Sequence, residues 1–118
     1  MNLEERNEKV AEWAGFEHLS SLVAFGTMRV DYWYYRTERY GYFLPNFYNS
    51  LDALNEYVIP KIQADNKLWT KFVFLACYGN GLVINRPRRK MGEMIKWLLN
   101  PMNVFEAVER LILGETNA

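Results

Sequence analysis

Few residues in this chain have the chemistry of a catalyst. Its 118 residues include one cysteine, Cys77, and one histidine, His18. These are the residue types of a thiolate nucleophile and its general base. Cys77, however, falls in the apolar run Phe72-Val73-Phe74-Leu75-Ala76-Cys77, where a free cysteine behaves as a small hydrophobe. Packing is the stronger reading for it, and His18 reads as a surface or partly buried side chain after the first helix. A single cysteine excludes an intramolecular disulfide, and one cysteine with one histidine cannot alone cage zinc or an iron–sulfur cluster. The three aspartates, Asp31, Asp52 and Asp65, are far apart in sequence. Asp52 and Glu56 stand at i and i+4, so they share a helix face. An acid in a first helical turn favours the dipole, and a solvated face accounts for the pair. Gly79-Asn80-Gly81 lacks the third glycine of a dinucleotide fingerprint and the Gly-Lys-Ser/Thr of a phosphate loop, so turn chemistry explains it. The expectation is a protein that is not an enzyme and carries no metal or cofactor.

Binding chemistry has more to work with. Aromatic residues make up 16% of the chain, and they are concentrated between Tyr32 and Tyr48. Trp33, Tyr35, Tyr40 and Tyr42 lie there beside Arg36 and Arg39, with Arg29 just upstream. Tyr, Trp and Arg are the types enriched where protein surfaces meet. These six residues, Trp33 to Tyr42, are the candidate protein interface, extending to self-association as a homodimer. A Tyr-rich strand covered on both sides would explain the same residues as core. Alanine at Trp33 and Tyr35 together separates the two readings, since an interface variant should lose association while still folding. An aromatic-lined pocket beside Arg29, Arg36 and Arg39 is the alternative, with a small anionic ligand or nucleotide as its occupant.

The second candidate is the basic run Arg86-Pro87-Arg88-Arg89-Lys90. Arg86, Arg88, Arg89 and Lys90 suit phosphate or an acidic protein surface. Lys+Arg number 14 and Asp+Glu 14, for a formal net charge of zero. A neutral chain has no bulk field to draw nucleic acid or an anionic bilayer. The run is instead balanced by the acidic first helix, with Glu4, Glu5, Glu8 and Glu12, and opposed faces of this kind steer protein association. A protein partner is therefore favoured over nucleic acid. Arg39-Tyr40-Gly41-Tyr42-Phe43-Leu44 is superficially similar to the stacking strand of an RNA-recognition domain, but a tyrosine separates Arg39 from Gly41 and the order of elements does not follow that fold.

The elements that must position these residues follow from pattern. Asn2 with Glu5 starts a helix that Gly15 stops. Phe16 to Phe25 reads as a short strand and turn. Met28 to Arg36 alternates as a strand, with Met28, Val30, Tyr32 and Tyr34 on one face and Arg29, Asp31, Trp33 and Tyr35 on the other. Tyr40 to Leu44 returns as its hairpin partner across Arg36-Thr37-Glu38-Arg39. Asn49 or Ser50 caps a helix carrying Leu51, Leu54 and Val58, which ends or kinks near Pro60. Leu68 to Tyr78 reads as a strand, turning at Gly79-Asn80-Gly81 into Leu82-Val83-Ile84. Met91, Met94, Ile95 and Leu98 form one helix face. Asn100-Pro101 opens the last helix, whose stripe is Val104, Phe105, Val108, Leu111 and Ile112, and Gly114 closes it. The sum is one α+β domain over 1–118, a small antiparallel sheet layered with helices in the manner of an α/β/α sandwich. No apolar run approaches the roughly 20 residues of a membrane span. The polar start Met1 to Arg6 does not read as a secretory signal, so a cytoplasmic location is expected.

The order of motifs resembles the phage ABA-sandwich domain family. The residues that carry the resemblance are Ala11-Glu12-Trp13-Ala14-Gly15-Phe16, Leu44-Pro45-Asn46-Phe47, Asn49-Ser50-Leu51-Asp52-Ala53-Leu54 and Asn100-Pro101. It spans roughly residues 3 to 113 and is weakest between Cys77 and Leu99, where the basic loop and a helix over 86–99 would be an elaboration of this chain. The resemblance implies helices around a sheet and a small phage or prophage protein, either an accessory of phage growth or an antagonist of a host factor. It brings no catalytic motif.

Overall fold

The computed structural model describes residues 1–23, 28–79 and 88–114, and the side chains of all of these except 21–23 and 28–30. The chain falls into two compact units, Met1–Pro45 and Asn46–Ala118. The α+β class expected from the sequence is observed, with a small antiparallel sheet accompanied by helices.

In the first unit, α1 (Leu3–Ala14) starts where the Asn2 side chain accepts from the Glu5 N–H at 2.8 Å. It stops at Gly15, whose φ of 116° is left-handed and whose N–H reaches back to the Ala11 carbonyl. That backbone conformation is open to glycine and costly for other residues. Val10, Ala11 and Ala14 are buried. So is Asn7, which meets the cost of burial by donating its side-chain amide to the Pro45 carbonyl at 2.9 Å.

The chain then enters a three-stranded sheet in the order β1-β2-β3, with β1 at Phe16–Val23, β2 at Met28–Tyr35 and β3 at Glu38–Gly41. Tyr35 pairs with Glu38, so the turn is only Arg36-Thr37 and not the four residues expected. Both turn residues have positive φ, 49° and 72°. This is the handedness that suits the twist of a two-residue hairpin, achieved here without glycine. The third strand also begins earlier than expected and ends before Tyr42. Tyr34 pairs with Arg39 but Trp33 with Gly41, leaving Tyr40 as the extra residue of a bulge. The turn expected at Phe25 to Thr27 lies outside the described residues.

The second unit is helical. Ser50 caps its start, accepting from the Ala53 N–H at 3.2 Å. α2 (Leu51–Ala53), a π-helical segment (Leu54–Val58) and α3 (Ile59–Gln63) follow without a break. The wide π turn lies directly before Pro60. A proline ring collides with the carbonyl one α-turn back and offers no N–H, and a widened turn accommodates both effects. The expected end or kink near Pro60 is thus a π segment, and the helix continues to bury Ile62.

The expected strand over 68–78 is a helix. α4 (Asn66–Tyr78) is capped by Asp65, which accepts from the N–H groups of Lys67 and Leu68. Phe72, Ala76 and Cys77 are buried at i, i+4 and i+5, while Val73 and Phe74 face outward. The continuous apolar run is therefore a helix with an apolar exposed face, and not a strand buried on both sides. The proposed return strand Leu82-Val83-Ile84, with Asn80-Gly81, lies outside the described residues. α5 (Met91–Leu98) is present, but turned relative to expectation. Trp97 is its buried residue, and Met91 and Ile95 are exposed. α6 (Pro101–Leu113) begins as expected, with Asn100 accepting from the Met102 N–H. Phe47, Leu54, Val58, Ile62, Phe105 and Val108 are completely or almost completely buried in this unit, each contributing about 1.5–3 kcal/mol relative to exposure.

Candidate protein-binding face

The register of the sheet sorts the aromatic cluster into two faces. Phe16 pairs with Tyr35, His18 with Trp33 and Ser20 with Asp31, so these six side chains share one face. Phe16 and Trp33 are buried there. The Phe16 ring lies 4.8 Å from Tyr35 and 5.1 Å, edge-on, from Tyr40. The His18 ring stacks on Trp33 at 4.7 Å, and the Ser20 hydroxyl donates to the Asp31 carboxylate.

Glu17 with Tyr34 and Leu19 with Tyr32 share the other face, where Arg39 stands opposite Tyr34. Here Glu17, Leu19 and Arg39 are exposed, and Tyr32 and Tyr34 are half-buried. Leu19 is 43% exposed, Tyr42 59% and Phe43, just after the sheet, 84%. The Tyr32 and Tyr42 rings stack at 4.6 Å, and their hydroxyls are hydrogen bonded at 2.9 Å. The Arg39 guanidinium lies 4.3 Å from the centre of the Tyr32 ring, within the range of a cation–π contact. The result is an outward apolar-aromatic patch with one cation in its middle. Tyr and Arg are residue types enriched where protein surfaces meet.

The hydrogen bond that the Tyr32 hydroxyl donates to Tyr42, aided by partial desolvation, holds the Tyr32 phenol above its usual value of about 10, against the opposing pull of Arg39. The folded state thus favours the neutral phenol. The pairing is complete below about pH 10 and is lost as pH rises through the elevated value. In a tyrosine Cζ NMR titration, Tyr32 should ionise above the range of a free phenol, and Tyr42→Phe should bring it down. An unchanged Tyr32 titration in that variant would contradict the stacked, hydrogen-bonded pair.

The candidate residues therefore separate. Arg39 and Tyr42 are on the outward face. Tyr35 and Tyr40 contact Phe16 on the inward one, and Arg36 sits in the turn with its guanidinium 5.2 Å from the Tyr35 ring. Trp33 is only 8% exposed, so it is a core residue and is corrected from the interface set. The alternation along β2 placed Tyr32 and Tyr34 opposite Trp33, but their role on the exposed face was missed, as was that of Leu19. Phe16, a large apolar residue paired opposite Tyr35, is the signal that identifies the inward face.

The basic run separates as well. Arg88 and Lys90 are exposed, and Arg86 lies outside the described residues. Arg89 is committed to the fold. Its guanidinium donates to the carbonyls of Leu75 and Ala76 at 3.0 and 2.8 Å, neutralising the C-terminal end of α4, and lies 5.0 Å from the Trp97 ring. It is corrected from a binding residue to a helix cap. Cys77 is buried, and its thiol donates to the Met94 sulfur at 3.8 Å, so a packing role accounts for it. Among the described residues, no three His, Cys, Asp or Glu side chains are grouped to hold a metal, and no helix is long and apolar enough to cross a membrane. Compared with protein-family models, curated proteins and solved structures, the chain matches none.

Proposed function

We propose that this chain acts without catalysis, by binding another protein through the outward face of its sheet. The observation that carries this reading is the exposed Tyr32–Tyr42 stack with Arg39 over it and Leu19 and Phe43 open to solvent. Rigid amphipathic rings contribute contact area at small entropic cost, and a flat arginine on a ring retains donors for a partner's acceptors. The resemblance carried by 11–16, 44–54 and 100–101 places the reading in a phage or prophage setting, as an accessory protein or an antagonist of a host factor. Capture from a bacterial extract should recover a specific partner with the native chain, and Tyr34→Ala/Tyr42→Ala should lose at least nine-tenths of it while melting as the native chain does. Equal capture by that variant would refute the reading.

A further inference from the structure

α5 is apolar on more sides than its neighbours cover. Its inward side is accounted for by buried Trp97, 6.3 Å from Phe72, and by Met94 at the Cys77 thiol. Opposite Trp97, Met91, Ile95 and Leu99 are 67%, 49% and 64% exposed. At i, i+4 and i+8 they form one ridge along the helix. Single exposed apolar residues are ordinary, but a continuous row of three large ones is the pattern of a contact.

The edge of this ridge has its own chemistry. The adjacent row holds Gly92 and Lys96, with Arg88 and Lys90 just before the first turn, and all four are exposed. The Gly92 backbone does not need glycine. Its φ is not positive, and a Cβ there would meet nothing within 4 Å. With no side chain there, Gly92 leaves an open notch beside the ridge, in the same row as Lys96. Glu93 is the one acid between Arg88 and Leu99.

We propose that α5 is a docking ridge for an amphipathic α-helix of another protein. That helix sets its apolar row against Met91, Ile95 and Leu99, fills the Gly92 notch, and brings Asp or Glu side chains to Arg88, Lys90 and Lys96. Rows spaced by four interlock at about −50° between helix axes, and Met91 adapts its shape to the partner. The cationic edge selects an acidic helix over a basic one. It also disfavours a second copy, because an antiparallel pairing of α5 about Ile95 brings Lys96 near its own copy and sets Arg88 and Lys90 against the Asn100 end, which carries no acid. This ridge is made of other residues than the sheet face, and the proposal does not rest on that reading.

The test uses the full chain and three labelled, stapled helical peptides with one leucine ridge, flanked by Glu, by Gln or by Lys. Fluorescence anisotropy should show the Glu peptide binding at least tenfold tighter than the Lys peptide, with the Gln peptide between. The difference should shrink in 0.5 M salt, as expected for exposed charges at about a 4 Å screening length. Ile95→Asp should abolish binding without changing the melting temperature. Gly92→Leu, which fills the notch, should weaken binding at least fivefold, and Lys90→Glu/Lys96→Glu should reverse the peptide preference. Tyr34→Ala/Tyr42→Ala should bind the Glu peptide normally, which keeps this result distinct from that of the sheet face. Equal binding of all three peptides, no binding, or binding indifferent to Ile95→Asp would overturn the proposal. So would an Ile95-dependent dimer in sedimentation, or Ile95-dependent binding to phosphatidylserine vesicles without peptide binding.

Discussion

Trp33→Ala is expected to destabilise the fold by about 3–5 kcal/mol, the cost of removing a buried aromatic side chain and leaving its cavity. Trp33 is 8% exposed, stacks on His18, and faces Gly41 across the sheet, where there is no side chain to fill the space it would vacate. A small domain has about 5–15 kcal/mol in all, so Trp33→Ala with Tyr35→Ala should leave little cooperative folding. Tyr42→Ala, on the opposite face and 59% exposed, should shift stability by about 1 kcal/mol or less, the scale of one cross-strand aromatic contact. Urea denaturation of the three variants measures the contrast. Equal, small losses from Trp33→Ala and Tyr42→Ala would mean that the two faces of β2 are not divided into core and surface.

Arg89→Ala should cost about 1–3 kcal/mol, the usual loss for hydrogen bonds to a charged group that leave buried acceptors unmet. The Leu75 and Ala76 carbonyls lose the guanidinium, with Leu75 keeping only the Gly79 N–H, and the Trp97 ring loses the cation above it. Arg88→Ala and Lys90→Ala, at exposed positions of the same run, should each fall within about 0.5 kcal/mol of the native chain. Arg89→Lys should recover part of the loss, since an ammonium restores charge and donors but not a flat group on the ring. Denaturant midpoints at a constant m-value separate these outcomes. Three similar small effects would return Arg89 to the surface with its neighbours.

What the sequence makes legible is local and chemical. Asn2, Gly15 and Asn100 mark helix ends because caps satisfy specific orphan groups, and each is found at its end; of Asn49 and Ser50 it is Ser50 that caps, and Gly114 follows the last helix. The β1 and β2 strands follow from their composition and alternation. The helix at α4 reads as a strand because Val73 and Phe74 keep its exposed face apolar, which erases the 3.6 period. Asp65, five residues after Pro60 and three before Leu68, is the cap signal that marks the helix. The turn at Arg36-Thr37 was misjudged in length because neither residue announces a left-handed backbone. The orientation of α5 is set by Trp97, which packs by Phe72 from α4, a partner distant in sequence, and under Arg89, which turns back from just before the helix.

The candidate site divided along the same line. Alternation placed Tyr32 and Tyr34 on one side of β2 and Trp33 and Tyr35 on the other. Which side is buried depends on pairing with Phe16 and on the bulge at Tyr40, and neither is a property of the strand's own sequence. The basic run shows the same limit. Four like charges read as one patch until Arg89 is seen to turn back onto α4.

The central claim, that the outward sheet face is the contact surface, is tested most directly by hydroxyl-radical footprinting of the chain alone and in its captured complex. The account predicts that Leu19, Tyr32, Tyr34, Tyr42 and Phe43 become protected in the complex, while Trp33 is protected in both states. Unchanged labelling of those five residues on binding would contradict it.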